Sequence, residues 1–380
     1  MKIFFWQNIF SIHQAPFLKA IDKYDNYEIT LLITEKLRQE RIEMGWNTPN
    51  VTGLKVIDLS ESNTSMYQNI LKDNNSRNAL HIFSGIDAFH KVYMALSIAI
   101  KLNCRIGIFT EPYDFRGVKG FLRRLRGFYY KFKYDRKIEF ILTTGKIGQT
   151  QFLQFGFHPH KVFEWAYSVD KSVNKIQANP ETKLKIMYAG SLIQRKGFDI
   201  LLQALEQLQK SNLPFTANLY CLKTSQVGLV QQIKKKHNFN DEISFHEFKP
   251  NKKLRNIISE HDLFVLPSRH DGWGAVISES LAEGTPVIAS DRCGASTLIN
   301  NSNGQVLNRL TRECLHHSIL QELKGEKLNV AKRIKIKSDY EKFASGEALA
   351  KYFEKILVFL NSDEAKKPNV PWSNIGNENT

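Results

Sequence analysis

LFVLPSRHDGWGAVISESLAEGTPVIAS, residues 263–290, is the stretch on which the fold turns. Leu263 to Leu266 is an apolar run of strand length, and Pro267 to Gly274 is a loop carrying two glycines. Ala275 to Glu283 has helical spacing and is stopped by Gly284, after which Pro286 opens another strand, Val287 to Ala289. A buried strand, loop and helix followed at once by a second buried strand is the repeating unit of a mostly parallel sheet with helices on both faces. Ligands of such sheets bind at the carboxyl ends of the strands, and Gly272-Trp273-Gly274 falls at such an end, directly before a helix.

Working outward, short apolar runs recur with helical patterns between them: Ile3 to Trp6, Glu28 to Ile33, Leu54 to Leu59, Leu80 to Phe83, Cys104 to Phe109 and Glu139 to Thr143. The alternation restarts at Leu184 to Ala189 and continues through Phe215 to Cys221 and Ile243 to Phe245. A chain of 380 residues exceeds one ordinary core, and the polar stretch Ser168 to Lys183 reads as a linker. The expected division is a Rossmann-like domain over 1–167, a second over 168–344, a returning helix over 345–362 capped by Ser345, and a disordered tail over 363–380.

The four cysteines, Cys104, Cys221, Cys293 and Cys314, show no C-x-x-C pair, which argues against a zinc site or disulfide framework. Met1 to Gln7 is too short for a signal peptide. Val92 to Ile100, the longest apolar stretch, falls short of the roughly 20 residues of a membrane-spanning helix. A cytoplasmic chain is expected.

Asp271 and Glu279 flank the glycine loop, one in it and one a turn into the helix. Two carboxylates would repel a phosphate, so their chemistry is to accept hydrogen bonds from hydroxyls such as those of ribose and a sugar. Either alone would be an ordinary turn or helix residue; beside the glycines they read as a site. The matching cations follow the strand Leu184 to Ala189, in Gly190-Ser191-Leu192-Ile193-Gln194-Arg195-Lys196-Gly197. No G-x-G-x-x-G stands there. Arg195 and Lys196 instead offer charge to a diphosphate leaving group, and with no D-x-D pair in the chain, catalysis without a metal or other cofactor is expected.

These two segments, Tyr188-Ala189-Gly190-Ser191 through Lys196-Gly197 and Asp271-Gly272-Trp273-Gly274 through Glu279, resemble the retaining glycosyltransferases of family 4, which have the GT-B fold of two Rossmann-like domains facing across a cleft. The resemblance implies that Gly190, Arg195, Lys196, Gly272, Trp273, Gly274 and Glu279 bind a nucleotide-sugar donor, with Glu279 on the ribose and Asp271 against the donor sugar. Asp271 is one methylene shorter than the family's glutamate, and Ser191 stands where relatives often carry arginine. Phe248 and Lys249 fall where relatives place the base. Glu111 lies near the position of an acceptor-side histidine, and His13 is a second candidate for that side. The implied function is retaining hexosyl transfer to a glycan or lipid-linked acceptor in bacterial surface polysaccharide assembly. A nucleotide-sugar epimerase of the same shape, or a non-enzymatic basic adaptor for membrane or nucleic acid, are the competing readings.

A formal charge of +15 calls for an acidic partner. The charge is densest at Arg116 to Lys137, where nine cations meet one acid, Asp135. Val118, Phe121, Leu122, Leu125, Phe128, Tyr129 and Phe132 follow helical spacing through it. The segment predicts a basic amphipathic helix docking on an anionic inner-leaflet surface, with Gly120 and Gly127 weakening its continuity. Nothing resembles a nucleic-acid module.

Overall fold

The computed structural model of the protein describes residues 1–43, 45–46, 48–49, 53–176, 183–211, 213–223, 226–362 and 366–375. The chain divides into two compact units. The first comprises Met1–Arg38, Thr48–Asp170 and Ala344–Pro371, and the second Gln39–Asn47, Lys171–Phe343 and Trp372–Thr380.

Among the described residues, seven strands form the sheet of the first unit: β1 (Lys2–Gln7), β2 (Glu28–Ile33), β3 (Lys55–Asp58), β4 (Leu80–Ser84), β5 (Arg105–Thr110), β6 (Phe140–Thr144) and β7 (Val162–Trp165). Their order is β3-β2-β1-β4-β5-β6-β7 and every pairing is parallel. The order reverses direction between β1 and β4. The second sheet has β8 (Leu184–Ala189), β9 (Phe215–Leu222), β10 (Ile243–Glu247), β11 (Leu263–Leu266), β12 (Val287–Ser290) and β13 (Gly304–Leu307). Its order is β10-β9-β8-β11-β12-β13, again all parallel, with the reversal between β8 and β11. Both are doubly wound α/β sheets, the fold class expected. β13 is an addition, because Gly304-Gln305-Val306-Leu307 holds only two apolar residues and gives a weak strand signal.

The helix Gly346–Leu360 belongs to the first unit and packs on the helix Ala15–Ile21. Ser345 caps it, its Oγ accepting from the Ala348 amide at 3.2 Å. A Cβ on Gly346 would come within 2.4 Å of the Pro16 carbonyl oxygen, so the close crossing needs glycine there. Phe353 meets Phe17 edge-on at 5.5 Å, and Phe17 meets Trp165 at 5.0 Å.

Three expectations need correction. The tail is not disordered throughout: Lys367 donates to the Val162 carbonyl at 2.8 Å, Pro371–Asn374 form a short helical turn and Trp372 is buried. Residues 363–365 and 376–380 of that expectation lie outside the described set. The polar stretch after 170 is not simply solvated linker, since Ser172 and Asn174 both donate to the buried Glu283 carboxylate, at 2.5 and 2.9 Å; its residues 177–182 are also outside the described set.

The third correction concerns the basic helix, which runs unbroken from Gly117 to Tyr134. Gly120 and Gly127 are not weak points but contact points. A Cβ on Gly120 would sit 2.0 Å from the Phe115 carbonyl carbon, and one on Gly127 would sit 2.3 Å from the Phe155 ring. Gly120, Gly127, Tyr130 and Tyr134 form the buried face. The large apolar stripe consequently points to solvent, with exposures from 48% at Phe128 to 91% at Phe132.

Candidate functional site

The point where a doubly wound sheet reverses leaves a crevice at the carboxyl ends of two neighbouring strands, and ligands bind there. In the second unit those strands are β8 and β11, and their exit loops are the two segments singled out from sequence. Gln194–Lys196 form a 3₁₀ turn after β8, closed by Gly197 at φ +69°. A Cβ on Gly197 would fall 1.7 Å from the Pro267 carbonyl oxygen, so the turn lies directly on the exit of β11. Gly274, at φ +84°, ends the second loop and begins the helix Ala275–Ala282.

The two loops are bonded across this crevice. Lys196 Nζ contacts Asp271 Oδ2 at 2.5 Å, the Arg269 amide donates to the Arg195 carbonyl at 2.8 Å, and Arg195 Nη1 donates to the His270 carbonyl at 3.0 Å. Burial alone would raise the Asp271 carboxyl, but the Lys196 ammonium, with help from Arg195 and His270, holds it below its ordinary value. Asp271 is also fixed by its backbone: its amide donates to the Arg292 carbonyl at 3.0 Å and its carbonyl accepts from the Gly294 amide at 3.2 Å. A Cβ on Gly294 would lie 2.4 Å from the Gly272 carbonyl oxygen, so the loop after β12 presses against the glycine loop.

Glu279 is buried in the first turns of the helix Ala275–Ala282, and one oxygen accepts from Asn251 Nδ2 at 2.7 Å. Asn251 follows Pro250, so this bond joins Glu279 to the segment containing Phe248 and Lys249. Phe248 itself is anchored by its amide to the Leu222 carbonyl at 3.0 Å, beyond the outermost strand β10. The neighbouring acid Glu283 has a different character, held by Arg255 at 2.6 Å as well as by Ser172 and Asn174. Three donor side chains make it a structural carboxylate. Trp273 turns its ring into the unit, where Nε1 donates to Ser278 Oγ at 3.0 Å; its side chain is core, and its carbonyl accepts from the Ala295 amide at 2.8 Å. Gly190 lies over the Tyr188 ring, whose hydroxyl donates to the Ser191 carbonyl at 3.1 Å.

Sequence reasoning missed Asn251, Asp199 and Arg269. Arg269 grips Asp199 through both carboxylate oxygens, at 2.5 and 2.6 Å, and donates to the Gln194 carbonyl at 2.6 Å. Their only sequence signal is position, one in each of the two loop-to-helix segments.

In the first unit, His13 follows β1 and Glu111 follows β5. His13 is buried and lines a recess with Gln7, Phe17, Trp165 and Tyr167. Glu111 is exposed and accepts from the Tyr167 hydroxyl at 3.0 Å, which places it at the rim of the same recess.

Two doubly wound parallel units of this kind are the GT-B architecture. HepE of Anabaena, solved in complex with UDP, superposes with a TM-score of 0.69 over 94% of this chain and 100% of that one, at 14% identity, a likeness of fold. Residues 170–338, nearly all within the second unit, match the model of the family of glycosyl transferases group 1. TuaC of Bacillus subtilis (strain 168), a glycosyltransferase assigned to teichuronic acid biosynthesis, is 29% identical over 160 residues, 39% of this chain and 38% of that protein. The amylovoran biosynthesis glycosyltransferase AmsK of Erwinia amylovora is 22% identical over 231 residues, 57% and 56% of the two chains. The chain thus spans about half the length or less of these curated relatives.

Proposed function

We propose that the protein transfers a sugar from a nucleotide-diphosphate donor to a glycan or lipid-linked acceptor in bacterial surface polysaccharide assembly. The observation that carries this reading is the Lys196–Asp271 pair at the reversal point of the unit that matches the group 1 model. Lys196 and Arg195 supply the charge that a departing diphosphate needs, without a metal. Glu279, beside Asn251, takes the ribose, and Phe248 with Lys249 the base. Asp271, already bonded to a cation, suits acceptance of a sugar hydroxyl better than nucleophilic attack, which supports retention without a covalent side-chain intermediate. His13 and Glu111 border the recess that would meet the acceptor.

The exposed stripe of the helix Gly117–Tyr134 supports a second element of the proposal, docking on an anionic membrane at the cell's inner face. Its apolar residues are flanked by the exposed cations Lys119, Arg124, Lys133, Arg136 and Lys137. Apolar groups at that exposure are stabilised by entering the headgroup region, while each nearby cation adds about 1 kcal/mol on an anionic surface. No helix among the described residues is long and apolar enough to cross a membrane.

The test is a thermal-shift screen of nucleotide sugars, followed by product analysis with and without acceptor glycans. Stabilisation by a nucleotide sugar that is lost in Lys196→Ala, together with acceptor-dependent transfer, supports the reading. Conversion of the donor with no acceptor present would favour an epimerase, and no stabilisation by any donor would favour an adaptor.

A further inference from the structure

The Arg269–Asp199 pair is a poor stabiliser by its surroundings, since the Asp199 side chain is 46% exposed and such pairs contribute little to folding. Its geometry is nevertheless unusually constrained. One guanidinium makes two short bonds to Asp199 and a third to the Gln194 carbonyl, while the amide of the same residue donates to the Arg195 carbonyl. Asp199 stands in the first turn of the helix Phe198–Gln209, and the Arg269 guanidinium holds its carboxyl below the ordinary range. Arg269 therefore fastens the residue before Arg195, the carbonyl of Arg195 and the start of the following helix to the exit of β11. Lys196 lies inside that bracket.

We infer that Arg269 and Asp199 are positioning residues that set the Gln194–Lys196 turn at the height from which Lys196 meets a diphosphate. This rests on the donor-site reading of Lys196. A planar fork that bonds three acceptors at once fixes direction as well as distance, which a lysine at 269 would not do. A turn left free to shift would cost binding of the phosphates while leaving the nucleoside subsite as it was.

The experiment compares the nucleoside diphosphate, UDP or GDP, that raises the wild-type Tm more, with its parent nucleoside, by calorimetry. Wild type, Arg269→Gln, Arg269→Lys, Asp199→Asn and Lys196→Ala are measured, each with its melting curve. Arg269→Gln, Arg269→Lys and Asp199→Asn are expected to weaken diphosphate binding about tenfold or more, with nucleoside binding and Tm little changed. Unchanged diphosphate binding, or equal loss of diphosphate and nucleoside, would overturn the inference. Undiminished diphosphate binding in Lys196→Ala would instead remove the donor-site reading itself, an outcome separate from the behaviour of the Arg269 and Asp199 variants. Asp199→Asn keeps the side-chain volume, so the test survives if an Arg269 variant fails to fold.

Discussion

Lys196 and Asp271, 75 positions apart, meet at 2.5 Å with both side chains largely withdrawn from water. The contact makes one unit of two loops that leave different strands. It also gives Lys196 a counter-charge that a diphosphate can replace, so the ammonium is held ready without standing unpaired.

Lys196→Ala is expected to lower turnover by about 2.7–4 kcal/mol of transition-state stabilisation, the scale of one preorganised charge-stabilising group. Initial rates with the stabilising nucleotide sugar measure it. Undiminished turnover would refute the assignment.

The same substitution should change the pH dependence of stability. In the wild type Asp271 has a depressed carboxyl, so its contribution is present above the ordinary carboxylate range and is lost only as pH falls through the depressed value. Without Lys196, burial dominates and the carboxyl rises, so the variant gains from protonation at mild acidity. The Tm gap between wild type and Lys196→Ala should narrow from pH 7 towards pH 4. A gap that widens on acidification contradicts the ion pair.

The two acids of the helix Ala275–Ala282 and its end should separate cleanly. Glu283→Ala leaves Arg255 buried without its carboxylate and should cost about 3–5 kcal/mol in denaturant unfolding. Glu279→Gln keeps the shape and should raise the donor KM with little change in unfolding. Similar stability losses in both would mean that Glu279 is structural too.

Gly127→Ala tests the packing of the basic helix through its glycines. Alanine is the better helix former by roughly 1 kcal/mol, yet its Cβ would be forced against Phe155. Destabilisation of about 1–3 kcal/mol by overpacking is expected. A stabilised variant would show that the helix does not pack through its glycines.

Phe121→Asp with Phe132→Asp should abolish co-flotation with vesicles rich in phosphatidylglycerol while leaving the Tm unchanged, because both rings are exposed. Retained flotation would point to charge alone.

Most of the strands could be read from sequence because a strand buried on both faces of a parallel sheet is a near-continuous apolar run, as in Leu263–Leu266 and the buried part of the strand Leu184–Ala189 from Ile186 on. The donor-side residues were legible as types at loop positions. Their partners were not: the joining of Lys196 to Asp271, or of Asn251 to Glu279, depends on which strands become neighbours. The contact face of the basic helix was not legible: periodicity marks the apolar stripe, expected to meet a membrane, but gives no sign that glycine and tyrosine make the contact with the unit. Nor was the place of Trp273 legible: the resemblance implies that it binds the donor, while its indole is core.

The bonds from Ser172 and Asn174 to Glu283, with Lys337 Nζ reaching the Ser172 and Asn174 carbonyls at 3.3 and 3.2 Å, set where the second unit begins as a physical body. Cutting the chain at the first residue of β8 would strip a buried carboxylate of two of its donors and leave a lysine reaching for absent carbonyls. The second unit excised for separate study should therefore start no later than Lys171, and one started at Leu184 would measure the damage of its own excision.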